Sequence, residues 1–359
     1  MSRQRFKDFV TSEWLFVLSA LGLVLTSVLA KQIPAYSRSD FEILFVLFVL
    51  FIITTGLQRH GVLKRIACRV ESGGFISIKL VVATFFFAMI VTNDVALMTL
   101  VPLTILLNVP YKAWLVIAEA LAANAGSALS PFGNPQNLFI YWHYDIPFTD
   151  FIATIAPFAL FFLVILMGAA MAIRARGVPV ETPQPEALSG SGWFHIIALG
   201  IFALAILRVL PLMVGVLVIL YVLVADRESL RIDYALLLTF VCFFGFTDNL
   251  QVLLANHLEH PHHVFLLAAF LSQIISNVPA ALLLADFTPH WRSLLWGVSV
   301  GGFGSLVGSL ANLIAYRIYA RSGQADGRSF LVKFHAASYA AFFIGILLYF
   351  ILHSLMTFP

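Results

Sequence analysis

Two short polar interruptions inside long apolar runs hold the residues best placed to do chemistry. Thr92-Asn93-Asp94 breaks the run 76–107, and Ser276-Asn277-Val278-Pro279 breaks the run 264–287. As one α-helix the first run would be about 48 Å long, well beyond a hydrocarbon core of roughly 30 Å. In the second, Pro279 removes a helical donor and disfavours α conformation at Val278. Each run is therefore expected to be two half-helices meeting at a polar tip. Where helices break, orphan carbonyls can coordinate a cation and orphan N–H groups can hold an anion. Asn, Ser and Thr side chains add neutral oxygens to such shells.

A second pair of motifs follows the tips. Ser130-Pro131-Phe132-Gly133-(x3)-Asn137-Leu138-(x2)-Tyr141 echoes Ser305-Leu306-Val307-Gly308-(x3)-Asn312-Leu313-(x2)-Tyr316. One cation site is expected from Thr92, Asn93, Ser130 and Gly133, and its mate from Ser276, Asn277, Ser305 and Gly308. Substrate would sit between the tips near Asn137 and Asn312, with Asn134 in the first turn. The bland alternative is that small polar residues only ease helix packing. Their paired recurrence at matching places in two halves argues against it.

Asp94 is the sharpest single residue. A carboxylate near the bilayer centre costs at least about 2.5–3.5 kcal/mol, so it should face a cavity or a partner. It could bind a cation, carry a coupled proton or reject an anion; the competing role is a helix N-cap. Glu119, mid-helix in WLVIAEALAANAG, is a further candidate for proton or cation coupling. Asp248, after Phe246-Thr247, is as well suited to capping as to transport. The only metal expected is sodium at Thr92, Asn93, Ser276 and Asn277. His257, His260, His262 and His263 share a short loop beside Pro261 without tetrahedral zinc spacing. Cys68 and Cys242 are far apart and form no motif. No phosphate loop and no nucleophile–base pair is evident. An enzyme is not expected, nor any cofactor beyond Na+ or H+ as coupling ion.

These residues need a lipid-embedded frame. Hydrophobic residues make up 61% of the 359 and charged ones only 11%, against roughly 25% charged in soluble domains. Apolar runs appear at about 14–30, 41–57, 76–107, 112–143, 150–173, 193–209, 211–225, 233–256, 264–287, 291–320 and 333–353. Basic clusters lie at Arg3, Arg5 and Lys7; at Arg59, Lys64, Arg65, Arg69 and Lys79; at Arg174 and Arg176; and at Arg317, Arg321, Arg328 and Lys333. Treating both interrupted runs as non-crossing hairpins places every cluster in the cytoplasm, as the positive-inside rule asks. The expected fold is an all-α polytopic membrane protein with about nine crossings and two re-entrant hairpins. Its N-terminus would be cytoplasmic and its C-terminus extracytoplasmic, in a bacterial-type inner membrane. The hairpins then open to opposite faces, so 1–174 and 193–359 read as inverted repeats joined by the Pro- and Ser-rich linker 175–192, with 193–209 as an added connecting helix. The net charge of +3 reflects membrane orientation, and no nucleic acid is expected as a partner.

TNDVALMTLVPLTIL, NAGSALSPFGNPQNLFIY, SNVPAALLLADF and VGSLANLIAY resemble the ion-transporter superfamily over essentially the whole chain. That group includes the arsenite permeases, the sodium–proton antiporters of the NhaD type, the citrate transporters and the divalent-anion/sodium symporters. The resemblance implies that tips and broken helices form sodium and substrate sites, landing on Thr92, Asn93 and the 130–137 turn, then Ser276, Asn277 and the 305–312 turn. The dicarboxylate symporters typically carry Ser-Asn-Thr at both tips, whereas Asp94 and Val278 stand in the third place here. The Asn-Asp tip and VGSLA look more like the arsenite permeases. Related architectures are often homodimeric. The leading expectation is ion-coupled transport of a small anion or oxyanion. The alternatives are cation/proton exchange through Asp94 and Glu119, and arsenite or antimonite efflux.

Overall fold

The computed structural model describes residues 13–70, 75–107, 111–173, 188–254, 260–322 and 327–355. Most of the linker 175–192 and His257 lie outside them. The described residues are helical, with no strand among them. In chain order the helices are α1 (Trp14–Ala30), α2 (Arg38–Arg59), α3 (Val62–Val70), α4 (Ile76–Val91), α5 (Asn93–Leu106), α6 (Lys112–Ala128), α7 (Pro135–His143) and α8 (Phe148–Ala172). After the linker come α9 (Gly190–Ile206), α10 (Val214–Ala225), a 3-10 turn at Arg227–Leu230, and α11 (Tyr234–Leu254). The chain ends with α12 (Pro261–Ile275), α13 (Asn277–Ala285), α14 (Trp291–Gly301), α15 (Leu310–Arg321) and α16 (Gly327–Leu355).

Composition explains the bundle. Four helices, Arg38–Arg59, Phe148–Ala172, Arg227–Leu253 and Gly327–Ser354, are long and apolar enough to cross a membrane, and six shorter ones are apolar. On α1 the side chains of Leu18, Leu21, Val24, Leu25, Val28 and Leu29 are all exposed. Water would not tolerate a face so apolar, whereas lipid covers it without cost. The chain is a multi-pass membrane protein.

α6 occupies the centre. It is buried along almost its whole length, from Leu115 to Ala128, as expected for a helix that is apolar all round. α4 packs on α6 and folds back against α5; α12 packs on α14 and folds back against α13. The two halves then interlock, with α5 against α15 and α7 against α13. The interrupted runs are thus helix pairs that turn at a point, which is what the sequence predicts.

Two local expectations need correcting. The second break is narrower than Ser276-Asn277-Val278-Pro279: it falls at Ser276 alone, and Val278 and Pro279 lie inside the first turn of α13. The N–H that proline lacks is one of the helix's orphan donors there, so it costs nothing. The basic segment after α2, which the apolar runs leave outside any span, also forms a short helix, α3.

Candidate substrate and ion site

The tips share an unusual backbone. Thr92 has φ 98° and ψ 151°, and Ser276 has φ 78° and ψ 155°. Positive φ at a β-branched residue is a genuine outlier, and such conformations cost on the order of 1–3 kcal/mol. Hydrogen bonds to the broken helices hold them. The Asn93 N–H donates to the Gly133 carbonyl at 3.1 Å and the Asn277 N–H to the Gly308 carbonyl at 3.0 Å.

The same correspondence runs through the turns. Ser130 Oγ donates to the Met89 carbonyl at 2.6 Å, and Ser305 Oγ to the Gln273 carbonyl at 3.0 Å. Asn137 Nδ2 lies within 3.1 Å of the Ser127, Ala128 and Ser130 carbonyls. Asn312 Nδ2 likewise donates to the Gly302 and Ser305 carbonyls at 2.9 and 3.1 Å. Asn134 caps α7, accepting from the Asn137 N–H at 3.0 Å while its Nδ2 reaches Ser127 Oγ at 3.0 Å. Ser130, Gly133, Asn134, Asn137, Ser305, Gly308 and Asn312 therefore hold the broken backbone in shape, gathering carbonyls that the helices leave unpaired. Asn137→Ala would strand up to three buried acceptors at about 1–3 kcal/mol each. A loss of at least ~3 kcal/mol is expected, measured as a fall in the thermal unfolding midpoint in detergent.

Between the tips lies a cavity of about 380 Å³. Its lining includes Asn93 and Asp94 from the first tip, Ser276, Asn277 and Val278 from the second, Pro135 and Gln136 at the start of α7, and Ser309 and Leu310 at the start of α15. Four helices thus begin at one cavity. Each N-terminus carries roughly half a positive charge, so together they present about +2 of partial charge. Glu13, Asp233 and Arg317 line the same cavity. Another cavity, about 220 Å³, is lined by Pro261, Trp291, Trp296, Tyr349 and His353 and touches neither tip.

Asp94 is not a cap: Thr92 precedes α5 with no side-chain cap bond, and Asp94 Oδ1 is sealed from solvent without a hydrogen-bond partner. A carboxylate oxygen left this way is costly unless a cation or proton reaches it. Neutral oxygens of Asn93, Ser276 and Asn277 around the same cavity are of the kind that sodium accepts, so the donor set fits that ion. Glu119 lies elsewhere. Its Oε1 accepts from Thr104 Oγ1 at 2.8 Å, Oε2 is buried without a partner, and the residue does not line the cavity. Asp248 also stands apart, accepting the Ala35 N–H at 2.8 Å in the loop between α1 and α2. His260, His262 and His263 pack their rings on one another, and His262 meets His353.

The sequence reading overlooked Asn124. Its Oδ1 accepts from Asn93 Nδ2 at 3.4 Å and its Nδ2 donates to Asn312 Oδ1 at 2.8 Å. One buried amide thus joins the first tip to the second broken helix. A polar residue inside AANAG was the available signal. Gln136 and Ser309, next to motif positions, were also missed. Asn124→Ala is expected to lower transport by about tenfold or more, because a misplacement of 1 Å at a positioning group can cost about 10²-fold. Initial rates at matched protein levels would show it.

The citrate transporter family model matches residues 7–291, a span containing both tips and the first broken helix. The inner membrane protein YbiR of Escherichia coli is 34% identical over 346 residues, covering 90% of each chain. The uncharacterized transporter MJ0456 of Methanocaldococcus jannaschii is 30% identical over 323 residues, covering 85% of this chain and 88% of its own. The silicon efflux transporter LSI3 of Oryza sativa is 30% identical over 149 residues, which is 39% of this chain and 30% of the rice protein. The protein belongs to the citrate transporter family and is a membrane transporter, not an enzyme.

Proposed function

We propose that the protein is a secondary active transporter that moves a small anion or oxyanion by alternating access, driven by a sodium or proton gradient. One observation carries this reading: four helix N-termini and both polar tips meet at a single cavity. Converging helix dipoles favour an anion, and the enclosed Asp94 supplies a place for the coupling cation or proton. The equal geometry at Thr92 and Ser276 supports two inverted repeats, 1–174 and 193–359, with the membrane-embedded site at their interface. The basic clusters support a cytoplasmic N-terminus, so the face bearing Glu13, Asp233 and Arg317 would be cytoplasmic and the cavity inward-open. Residence in a bacterial-type inner membrane accords with the name of YbiR, an inner membrane protein.

Cation/proton exchange is the second reading. The cavity's side chains include three carboxylates, Glu13, Asp94 and Asp233, against one Arg317. Metalloid transport, including an arsenite-permease-like activity, is the third; the rice relative's name favours it for silicon alone. Proteoliposomes separate the three. Uptake of a labelled carboxylate or oxyanion that depends on an imposed sodium or proton gradient supports the leading reading. Collapse of a pH gradient by added sodium with no anion present would replace it with exchange. Gradient-dependent flux of arsenite or silicic acid alone would replace it with the third.

A further inference from the structure

Far along the chain from the tips, three ligating side chains from three separate elements meet. His60 follows α2, His195 lies in the first turns of α9, and Asp226 follows α10. His60 Nε2 and His195 Nε2 each lie 2.9 Å from the same oxygen, Asp226 Oδ2. The ligand atoms all fall within 4.8 Å of one another, and this is the one such group of three among the described residues. The cluster sits well away from solvent: side-chain exposure is 0% for His195, 9% for Asp226 and 22% for His60.

The surroundings hold this geometry. A Cβ on Gly56 of α2 would fall on the His195 ring, so the glycine opens the notch that admits the imidazole. Ser189 Oγ lies 3.1 Å from His60 Nδ1, and Ser229 Oγ donates to Asp226 Oδ2 at 2.6 Å. Arg59 Nη1 stands 3.5 Å from Asp226 Oδ1, the other carboxylate oxygen, while its Nη2 turns to Glu228 at 3.3 Å. Part of the arginine charge is thereby spent on a second acid, and Oδ2 is left to the histidines and Ser229.

We propose that His60, His195 and Asp226 form a binding site for a divalent transition-metal ion of the zinc class. Two imidazoles and a carboxylate are a standard three-ligand set for Zn²⁺, with water or a further group completing the tetrahedron. Bonds of about 2.0–2.1 Å at tetrahedral angles set ligand atoms about 3.3 Å apart, so each His–Asp separation widens by only about 0.4 Å. Metal at Nε2 requires the tautomer with its proton on Nδ1. The His60 Nδ1–H then donates to Ser189 Oγ, the outer hydrogen bond that metal-ligating histidines usually make. With no thiol in the set, copper(I) and cadmium are disfavoured relative to zinc and cobalt. Bound metal would staple the helix that follows the linker onto the end of α2, independently of which solute the transporter carries.

Purified, chelator-treated protein titrated with Co²⁺ tests this directly. The expected result is one equivalent per chain with the intense visible bands of tetrahedral cobalt, displaced by Zn²⁺, and a thermal unfolding midpoint that rises with Zn²⁺. Affinity should fall about 100-fold or more in His195→Gln and Asp226→Asn, and about tenfold in Ser189→Ala. Should the buried His195 variant fail to fold, His60→Gln, at the position 22% exposed, carries the same expectation. Absence of stoichiometric binding would overturn the proposal. So would binding that survives His60→Gln unchanged, or that is lost on replacing His260, His262, His263 and His353 instead.

Discussion

Asp94→Asn is expected to leave a folded, ligand-binding protein that no longer concentrates its substrate. The replacement keeps the shape of the side chain and removes the charge whose Oδ1 is sealed away without a partner. A charge crossing the membrane is worth about 2.3 kcal/mol per 100 mV, which is about a 50-fold concentration ratio. Losing one coupled charge should cost that factor in steady-state accumulation at 100 mV, while exchange of labelled for unlabelled substrate persists. Stability should stay equal or rise, because an uncompensated intramembrane carboxylate costs about 2.5–3.5 kcal/mol. Accumulation in proteoliposomes under imposed gradients, with a parallel thermal unfolding curve, measures both. Wild-type accumulation in the variant would remove Asp94 from the coupling mechanism.

A large effect on folding is expected at Gly126. A Cβ there would fall on the Phe85 carbonyl oxygen and lie 2.7 Å from Phe85 Cα. Those atoms are backbone in α4, so no rotamer change relieves the clash and α4 must move away from α6. Overpacking usually costs about 1–3 kcal/mol, and Gly126→Ala should reach the top of that range. The corresponding change in the second half, Gly301→Ala, should be milder. Its Cβ would lie 2.5 Å from Ser272 Cβ and Oγ but 3.2 Å from the Ala269 carbonyl, so the nearest clash is with a small side chain. A lower unfolding midpoint for Gly126→Ala than for Gly301→Ala, with reduced yield from the membrane, is the expected ordering. Equal midpoints would show that the close approach of α4 to α6 does not limit stability.

Displacing α4 would matter beyond stability. α4 carries Thr92 at its end, and Thr92 keeps its strained backbone only while the Asn93 N–H reaches the Gly133 carbonyl. A shift of α4 breaks that link and opens the tip, so transport should fall further than the loss of folded protein explains.

The chain of residues from hydropathy to break points was readable without coordinates. The run 76–107 is too long for the bilayer and is interrupted by Thr92-Asn93, and the run 264–287 is interrupted by Ser276-Asn277 and Pro279, so each is expected to break at its polar residues, where protein or water must line the unpaired backbone groups. Matching spacing at Ser130, Gly133 and Asn137 and at Ser305, Gly308 and Asn312 likewise marked both broken helices. What spacing could not assign was which of those polar groups face the cavity. Asn137 and Asn312 give their amide N–H groups to backbone carbonyls, a duty set by where the turn folds back, while Asn137 Oδ1 stays buried without a partner. Asn124 and Gln136 gain their importance only from the interlocking of the two halves, and the His60–His195–Asp226 cluster joins positions 166 residues apart in sequence. The sequence by itself determined the membrane class and the break points, because both follow from local transfer energies along the chain. Only the tertiary structure decided which oxygens stay unpaired, because that depends on what each group meets after distant segments pack.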